Sequence, residues 1–160
     1  MKKGNLHILS VTKYNNGEPI HEAQDFEEWK KFNKAQQGAF CKYMNDEDET
    51  GQILYNWFVL NDSRGIVPEG MKLATSEIWN SIESELENDE SLQGFLKNGK
   101  REHFGFFVGN QKAGYYWSNK THERNNERAI FFSILNSGGN EIFEADCDKR
   151  LGLSILCVKE

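Results

Sequence analysis

Residues Gly51–Trp79, GQILYNWFVLNDSRGIVPEGMKLATSEIW, decide how this chain is read. Ile53–Leu60 (ILYNWFVL) is apolar and rich in β-branched and aromatic side chains, the composition of a strand buried on both faces. Asn61-Asp62-Ser63-Arg64-Gly65 ends it, and Pro68-Glu69-Gly70 turns the chain again, because these residue types pre-set or tolerate turn backbone. Thr75 then stands as an N-cap, with Glu77 near the positive end of the helix dipole. Ile78, Ile82 and Leu86 recur at i, i+4 and i+8 with Trp79 beside them, so one face of that helix is apolar. The helix fades into Glu87–Glu90, an acidic tail expected in solvent. Gly114–Thr121 (GYYWSNKT) and Gly152–Lys159 (GLSILCVK) read as partners of this strand–loop–helix unit in one core.

Upstream, His7–Tyr14 (HILSVTKY) reads as a short strand followed by an Asn15-Asn16-Gly17 turn. Asp25 with Glu28 three residues on is a capping-box pattern, and Phe26, Trp29 and Phe32 follow at helical spacing, so the spacing predicts an amphipathic helix over Asp25–Lys34. Gly38–Tyr43 reads as a short extended piece. Downstream, strands are expected at His103–Val108, Gly114–Ser118, Ala129–Leu135, Glu141–Asp146 and Leu153–Lys159, separated by turns at Gly109-Asn110, Asn125-Asn126 and Ser137–Asn140. Two helices early and antiparallel strands late make an α+β class. With no repeat and no linker, residues 1–160 read as a single domain.

Composition narrows function by exclusion. Net charge is −6 over 160 residues, which repels phosphate backbones and argues against nucleic acid as a partner. No run approaches the ~20 apolar residues of a membrane span. The opening MKKGNLHILSV is too short and broken in its apolar run for a cleaved signal, so with Met1 native the chain is expected in the cytoplasm. Cys41, Cys147 and Cys157 are too few for a disulfide framework, although one bridge plus one free thiol is open. His7, His21, His103 and His122 are scattered without metal-ligand spacing, so no metal and no cofactor is expected. Asp46, Asp48, Thr50 and Gly51 match the start of a calcium loop, but Trp57 stands where the bidentate Glu is required, and a solvated acidic turn is the reading. Gly94-x4-Gly99-Lys100 has phosphate-loop spacing, but Arg101 replaces the magnesium-binding hydroxyl and no strand precedes it, so a nucleotide site is rejected.

Several blocks together resemble one family. Leu54-Tyr55-Asn56-Trp57, Asp62, Arg64-Gly65, Pro68, Gly70 and Trp79, then Tyr116-Trp117-Ser118 and Gly152–Lys159, resemble in order the signature of the Fibrobacter succinogenes major paralogous domain, a bacterial family. The resemblance runs from about Ile8 to Glu160. Met71, Ala74 and Leu156 depart from it, standing where Trp, Pro and Arg are usual, which marks a divergent member. The family is related to formylglycine-generating-enzyme and C-type-lectin-like folds. It therefore implies two helices flanking a twisted antiparallel sheet with long loops, and a secreted or cell-surface setting if a leader has been removed.

That resemblance implies a non-catalytic binding module, because such a scaffold carries function on irregular loops over a rigid core. Asn119–Asn126 (NKTHERNN) is polar and rich in hydrogen-bonding side chains, so Asn119, Lys120, His122, Arg124 and Asn126 are the candidate ligand-binding residues; an ordinary solvated loop is the plain alternative. The Glu-Pro-Asn and Trp-Asn-Asp motifs of calcium-dependent sugar binding are absent, so the expected ligand is a protein or a glycan bound without calcium. Two alternatives stand beside this. One is a formylglycine-generating-enzyme-like oxidoreductase using Cys147 and Cys157, which the related enzymes' copper-binding cysteine pair suggests, with both cysteines on neighbouring strands. The other is an intracellular immunity- or inhibitor-type interaction protein, which small size and acidity allow.

Overall fold

A computed structural model describes residues 3–44, 50–102, 105–135 and 141–160. In chain order its strands are β1 (Leu6–Ile8), β2 (His21–Glu22), β3 (Ala39–Lys42), β4 (Ile53–Tyr55), β5 (Met71–Leu73), β6 (Asn98–Arg101), β7 (Phe107–Asn110), β8 (Ala113–His122), β9 (Asn125–Leu135), β10 (Ile142–Asp148) and β11 (Leu156–Lys159). The helices are α1 (Phe26–Lys34), α2 (Ser76–Leu86) and α3 (Glu90–Leu96), and Trp57–Leu60 forms a single 3-10 turn. The strands make three sheets among the described residues, in the orders β1-β11-β5, β10-β9-β8-β6-β7 and β2-β3-β4. The α+β class expected from the sequence is what is found, but with three helices and three sheets rather than two and one. Most pairings are antiparallel; β2–β3 and β6–β8 are parallel.

The helix starts follow local chemistry. Asp25 accepts from the Glu28 amide at 2.8 Å, and the Glu28 carboxylate accepts from the Gln24 amide at 2.9 Å, a reciprocal cap set one residue further out than the usual box. The helix closes with Gln36 in the left-handed region (φ 54°), its amide on Asn33 O and the Gln37 amide on Phe32 O. Thr75 occupies the N-cap position of α2 in extended backbone but its hydroxyl caps no amide. The stripe of α2 is as expected: Ile78, Trp79, Ile82 and Leu86 are buried, and Trp79 stacks on Phe132 at 5.3 Å and leans on Tyr116 at 5.1 Å. The acidic stretch lies past the end of α2 with Glu87, Asn88 and Glu90 exposed, as expected, but it also opens a helix that was not expected. Asp89 accepts from the Leu92 amide at 2.9 Å and starts α3, because Leu92 and Leu96 are completely buried against the same core.

Three other expectations change. Ile53–Leu60 is not one strand: only Ile53–Tyr55 pairs in a sheet, and the chain then coils. The cause is Asn56, fully buried, whose side chain accepts from the Ala39 amide (3.0 Å) and donates to Gln37 O and to Asn33 Oδ1 (2.9 Å each). A buried amide satisfied on both ends takes the place of the sheet ladder. His7–Tyr14 contributes only β1, ending at Ile8. The turn placed at Gly109-Asn110 falls at Gln111-Lys112, and β7 runs through both predicted turn residues. His103 of the predicted fifth-from-last strand, Asp46 and Asp48 of the acidic turn, and the Ser137–Asn140 turn lie outside the described residues.

The ending Gly152–Lys159 joins the parts. β11 pairs with β1 (Leu6 opposite Val158) and with β5 (Cys157 opposite Leu73), so the last strand lies between two early ones. Just before it, Leu153 bridges to Tyr55 and Ser154 to Tyr116, tying the three sheets together. Around this seam Tyr55, Trp57, Trp117, Leu153 and Ile155 form one apolar cluster, and Trp79, Tyr116 and Leu156 another. Burial of these large rings supplies much of the apolar driving force.

Candidate functional site

An open groove of about 970 Å³ is set between α1, the 3-10 turn with the loop after it, the start of β9, and the turn at 148–150. Its floor is assembled by indole and amide donors. Trp29 Nε1 and Asn33 Nδ2 both donate to Arg150 O, at 3.0 and 3.1 Å. The Lys149 amide donates to Glu127 O and Lys149 O accepts from the Trp57 amide, both at 3.0 Å. Trp57 Nε1 donates to Ser118 O at 2.9 Å. The turn bearing Lys149 is thereby held from three directions, by α1, by β9 and by the 3-10 turn.

That restraint puts the Lys149 side chain in an unusual place. The residue is 8% exposed, and its ammonium stands 4.0 Å from the centroid of the Trp57 ring. A ring face attracts a cation but provides no hydrogen bond acceptor of carboxylate strength. Desolvation pulls the Lys149 amine below its ordinary value. Among the described residues it has neither an acid partner nor a side-chain hydrogen bond.

The other groove cations are treated differently. Arg64 lays its guanidinium over the Tyr14 ring at 4.0 Å, grips Asp62 with Nε at 2.9 Å and Nη2 at 2.8 Å, and reaches Glu18 at 2.6 Å. That fork holds the Asp62 carboxyl down to about 2. Arg150 grips Asp148 with two nitrogens, at 2.9 and 2.6 Å, and Lys30 meets Glu27 at 2.7 Å. Lys34, at the open rim, is exposed. Five basic and three acidic side chains line the groove, opposite in balance to the acidic chain as a whole.

The sequence candidates do not converge. Asn119–Asn126 is not a loop: Asn119 to His122 belongs to β8, Asn125 and Asn126 to β9, and only Glu123-Arg124 turns between them. Neither turn residue has positive φ, and the register shifts between Trp117 and Thr121 and between Thr121 and His122, beside the turn. Asn119 and Lys120 border a separate cavity of about 390 Å³ with Thr75 and Glu77. His122 accepts from the Arg124 amide at 3.2 Å at the hairpin tip, and neither residue lines a described cavity. Of the five, Asn126 alone borders the groove. Sequence reasoning missed Lys149, whose only signal was a basic pair just before the apolar C-terminal block, and took Trp57 for core alone.

Cys147 and Cys157 are not on neighbouring strands. Cys147 is on β10, at the edge of the five-stranded sheet, and Cys157 is on β11, in the middle of another sheet. Both are free thiols, and burial pushes each up to about 12, leaving them protonated and poor nucleophiles at neutral pH. No cluster of three His, Cys, Asp or Glu side chains placed to hold a metal occurs among the described residues. Among the same residues no helix is long and apolar enough to cross a membrane.

A terminal strand enclosed between early strands, α1 packed on β3–β4 with α2 and α3 on a separate core, and a groove lined largely by turns define an α+β scaffold. The chain belongs to the Fibrobacter succinogenes major domain family, whose model matches residues 5–101. No curated protein and no solved structure matches the chain. The match includes α1, Trp57 and the Asp62–Arg64 pair, while Asn126, Glu127 and the 148–150 turn of the groove lie beyond it.

Proposed function

We propose that this protein is a non-catalytic binding module, a single C-type-lectin-like domain over residues 1–160 that takes a protein or a glycan without calcium. The observation that carries the reading is the groove: its volume is in the range of ligand sites, and it is open, polar and rigidly floored. The paired first and last strands and the function-bearing connections support the lectin-like comparison. The ligand surface combines the groove with the adjoining hairpin, where Asn119, Lys120, His122, Arg124 and Asn126 project from β8, β9 and their turn. Asn126 is the link, exposed at the base of the hairpin and on the groove wall.

The test is a glycan array run beside an affinity capture from culture supernatant and lysate, each with three proteins. These are the wild type, Asn126→Trp to fill the groove from an exposed position, and the triple variant Lys120→Ala, His122→Ala, Arg124→Ala. Loss of a specific ligand with Asn126→Trp places the site in the groove, and loss with the triple variant places it at the hairpin tip. If the wild type retains no glycan and no specific protein, the protein is not a binding module of this kind.

A further inference from the structure

We propose that the groove takes an acidic saccharide, its carboxylate seated against the Lys149 ammonium and its hydroxyls against the amides of Gln36, Gln37, Asn61 and Asn126. The inference rests on the reading of the groove as a binding surface and names the chemistry that fills it.

Lys149 supplies the charge. An ammonium at the edge of a largely buried side chain gives up part of its hydration, which an anion and hydrogen bonds can replace. Here it has the Trp57 face on one side and the groove on the other, with no acid partner among the described residues. A carboxylate entering from the groove provides both missing terms. The valence of the ligand follows from the surroundings. Arg64, Arg150 and Lys30 already hold carboxylates, and Lys34 is solvated at the rim. Asp62, Asp148 and Glu127 share the lining, so a dianionic phosphate would meet more repulsion than a single carboxylate does.

The amides supply the rest. Gln36, Gln37, Asn61 and Asn126 are all exposed on the groove, and no side-chain hydrogen bond engages any of them among the described residues. Each side-chain amide donates and accepts, as each sugar hydroxyl does, so a polyol satisfies both ends of every group. An acidic peptide offers one carboxylate per side chain but no comparable array of hydroxyls.

The experiment is calorimetric titration of the full chain with trigalacturonate, with the neutral galactotriose, and with a tri-glutamate peptide. The expected result is saturable binding of the uronate, at least tenfold weaker binding of the neutral sugar, and weaker binding of the peptide. Lys149→Met, which keeps the stem over Trp57 and removes the charge, should weaken the uronate at least tenfold with an unchanged melting temperature. The exposed pair Asn61→Ala, Asn126→Ala should weaken it several-fold, and it carries the test if Lys149→Met does not fold. Equal affinity for acidic and neutral sugars, tighter peptide binding, or a folded Lys149→Met protein that binds as wild type overturns the proposal. A silent uronate titration with an Asn126→Trp-sensitive ligand on the array removes the acidic saccharide and leaves the binding module standing. Silence in both removes the two together.

Discussion

The hairpin tip and the groove adjoin at Asn126, yet they are built in opposite ways. The tip is local: His122 pairs with Asn125 across a two-residue turn, most of its side chains are exposed, and its one internal side-chain bond among the described residues spans two residues, His122 to Arg124. The groove is assembled from distant parts of the chain. Trp29 and Arg150 are 121 positions apart and Trp57 and Ser118 are 61 apart, yet each pair shares a buried or half-buried hydrogen bond. Polarity concentrated in sequence therefore marked an exposed hairpin turn, whereas the groove is assembled from residues that look like core or punctuation. Contacts between distant segments fix the backbone of the turn that presents Lys149 over Trp57, whereas the hairpin tip relies on its own neighbours.

Trp29→Ala strikes the contrast hardest. The indole is 2% exposed and carries one of the two donors to Arg150 O. Truncation of a buried Trp costs about 3–5 kcal/mol, and for a chain of this size the melting temperature should fall by roughly 10 °C. Trp29→Phe should recover most of the packing but not the floor, so its melting temperature should exceed that of Trp29→Ala while groove-dependent binding stays impaired. Equal melting temperatures for the wild type and Trp29→Ala would show that the groove floor is not cross-linked as described.

Gly38→Ala comes next. A Cβ at Gly38 would collide with the Tyr14 hydroxyl and lie 3.1 Å from Val59 Cα, where the backbone of the 3-10 turn cannot give way. Overpacking of this kind costs about 1–3 kcal/mol. Chemical denaturation should show a lower midpoint with an unchanged slope; no shift would mean that Tyr14 swings aside freely.

The sequence was informative where structure is local and periodic. The α1 cap, the α2 stripe and the late strands are set by short-range patterns, and Asp25, Glu28, Ile78, Ile82 and Leu86 take the roles their spacing implies. It failed where one buried polar residue overrides a propensity: Asn56 sits in an apolar run and ends the strand by binding three partners from other segments. It failed likewise at α3, where Asp89 looked like one more acid in an acidic tail and is a cap. The family blocks were legible as a set of large apolar and turn residues, and the match over residues 5–101 covers those from Leu54 to Trp79, while Tyr116–Ser118 and Gly152–Lys159 lie beyond it. The groove was not legible, because nothing in a one-dimensional string says that Lys149 ends over Trp57.

A smaller effect separates the groove rim from the tip by pH. The Arg64 fork holds Asp62 at about 2, below its ordinary 3.8. The sign follows directly: the pair stabilises the fold above about pH 4, and that contribution is lost as pH falls through 2. Both side chains are partly exposed, so the loss is about 1 kcal/mol or less. Asp62→Asn should lower stability at pH 6 by that amount and flatten the acid limb of the stability curve. An acid limb identical to wild type would assign the acid sensitivity elsewhere.

The smallest expected effect belongs to the tip. Lys120→Ala, His122→Ala, Arg124→Ala removes three side chains that, among the described residues, make no ion pair or ring contact to another segment, their one side-chain bond being His122 to the Arg124 amide. Surface substitutions of this kind stay within about 0.5 kcal/mol each. A thermal melt of the triple variant should therefore lie close to wild type, far above Trp29→Ala. A large drop would mean that the tip contributes to the fold and that its separation from the groove is wrong. A small drop with lost ligand would instead move the binding surface outward along β8–β9, leaving Lys149 with a structural role over Trp57 and the groove without its occupant.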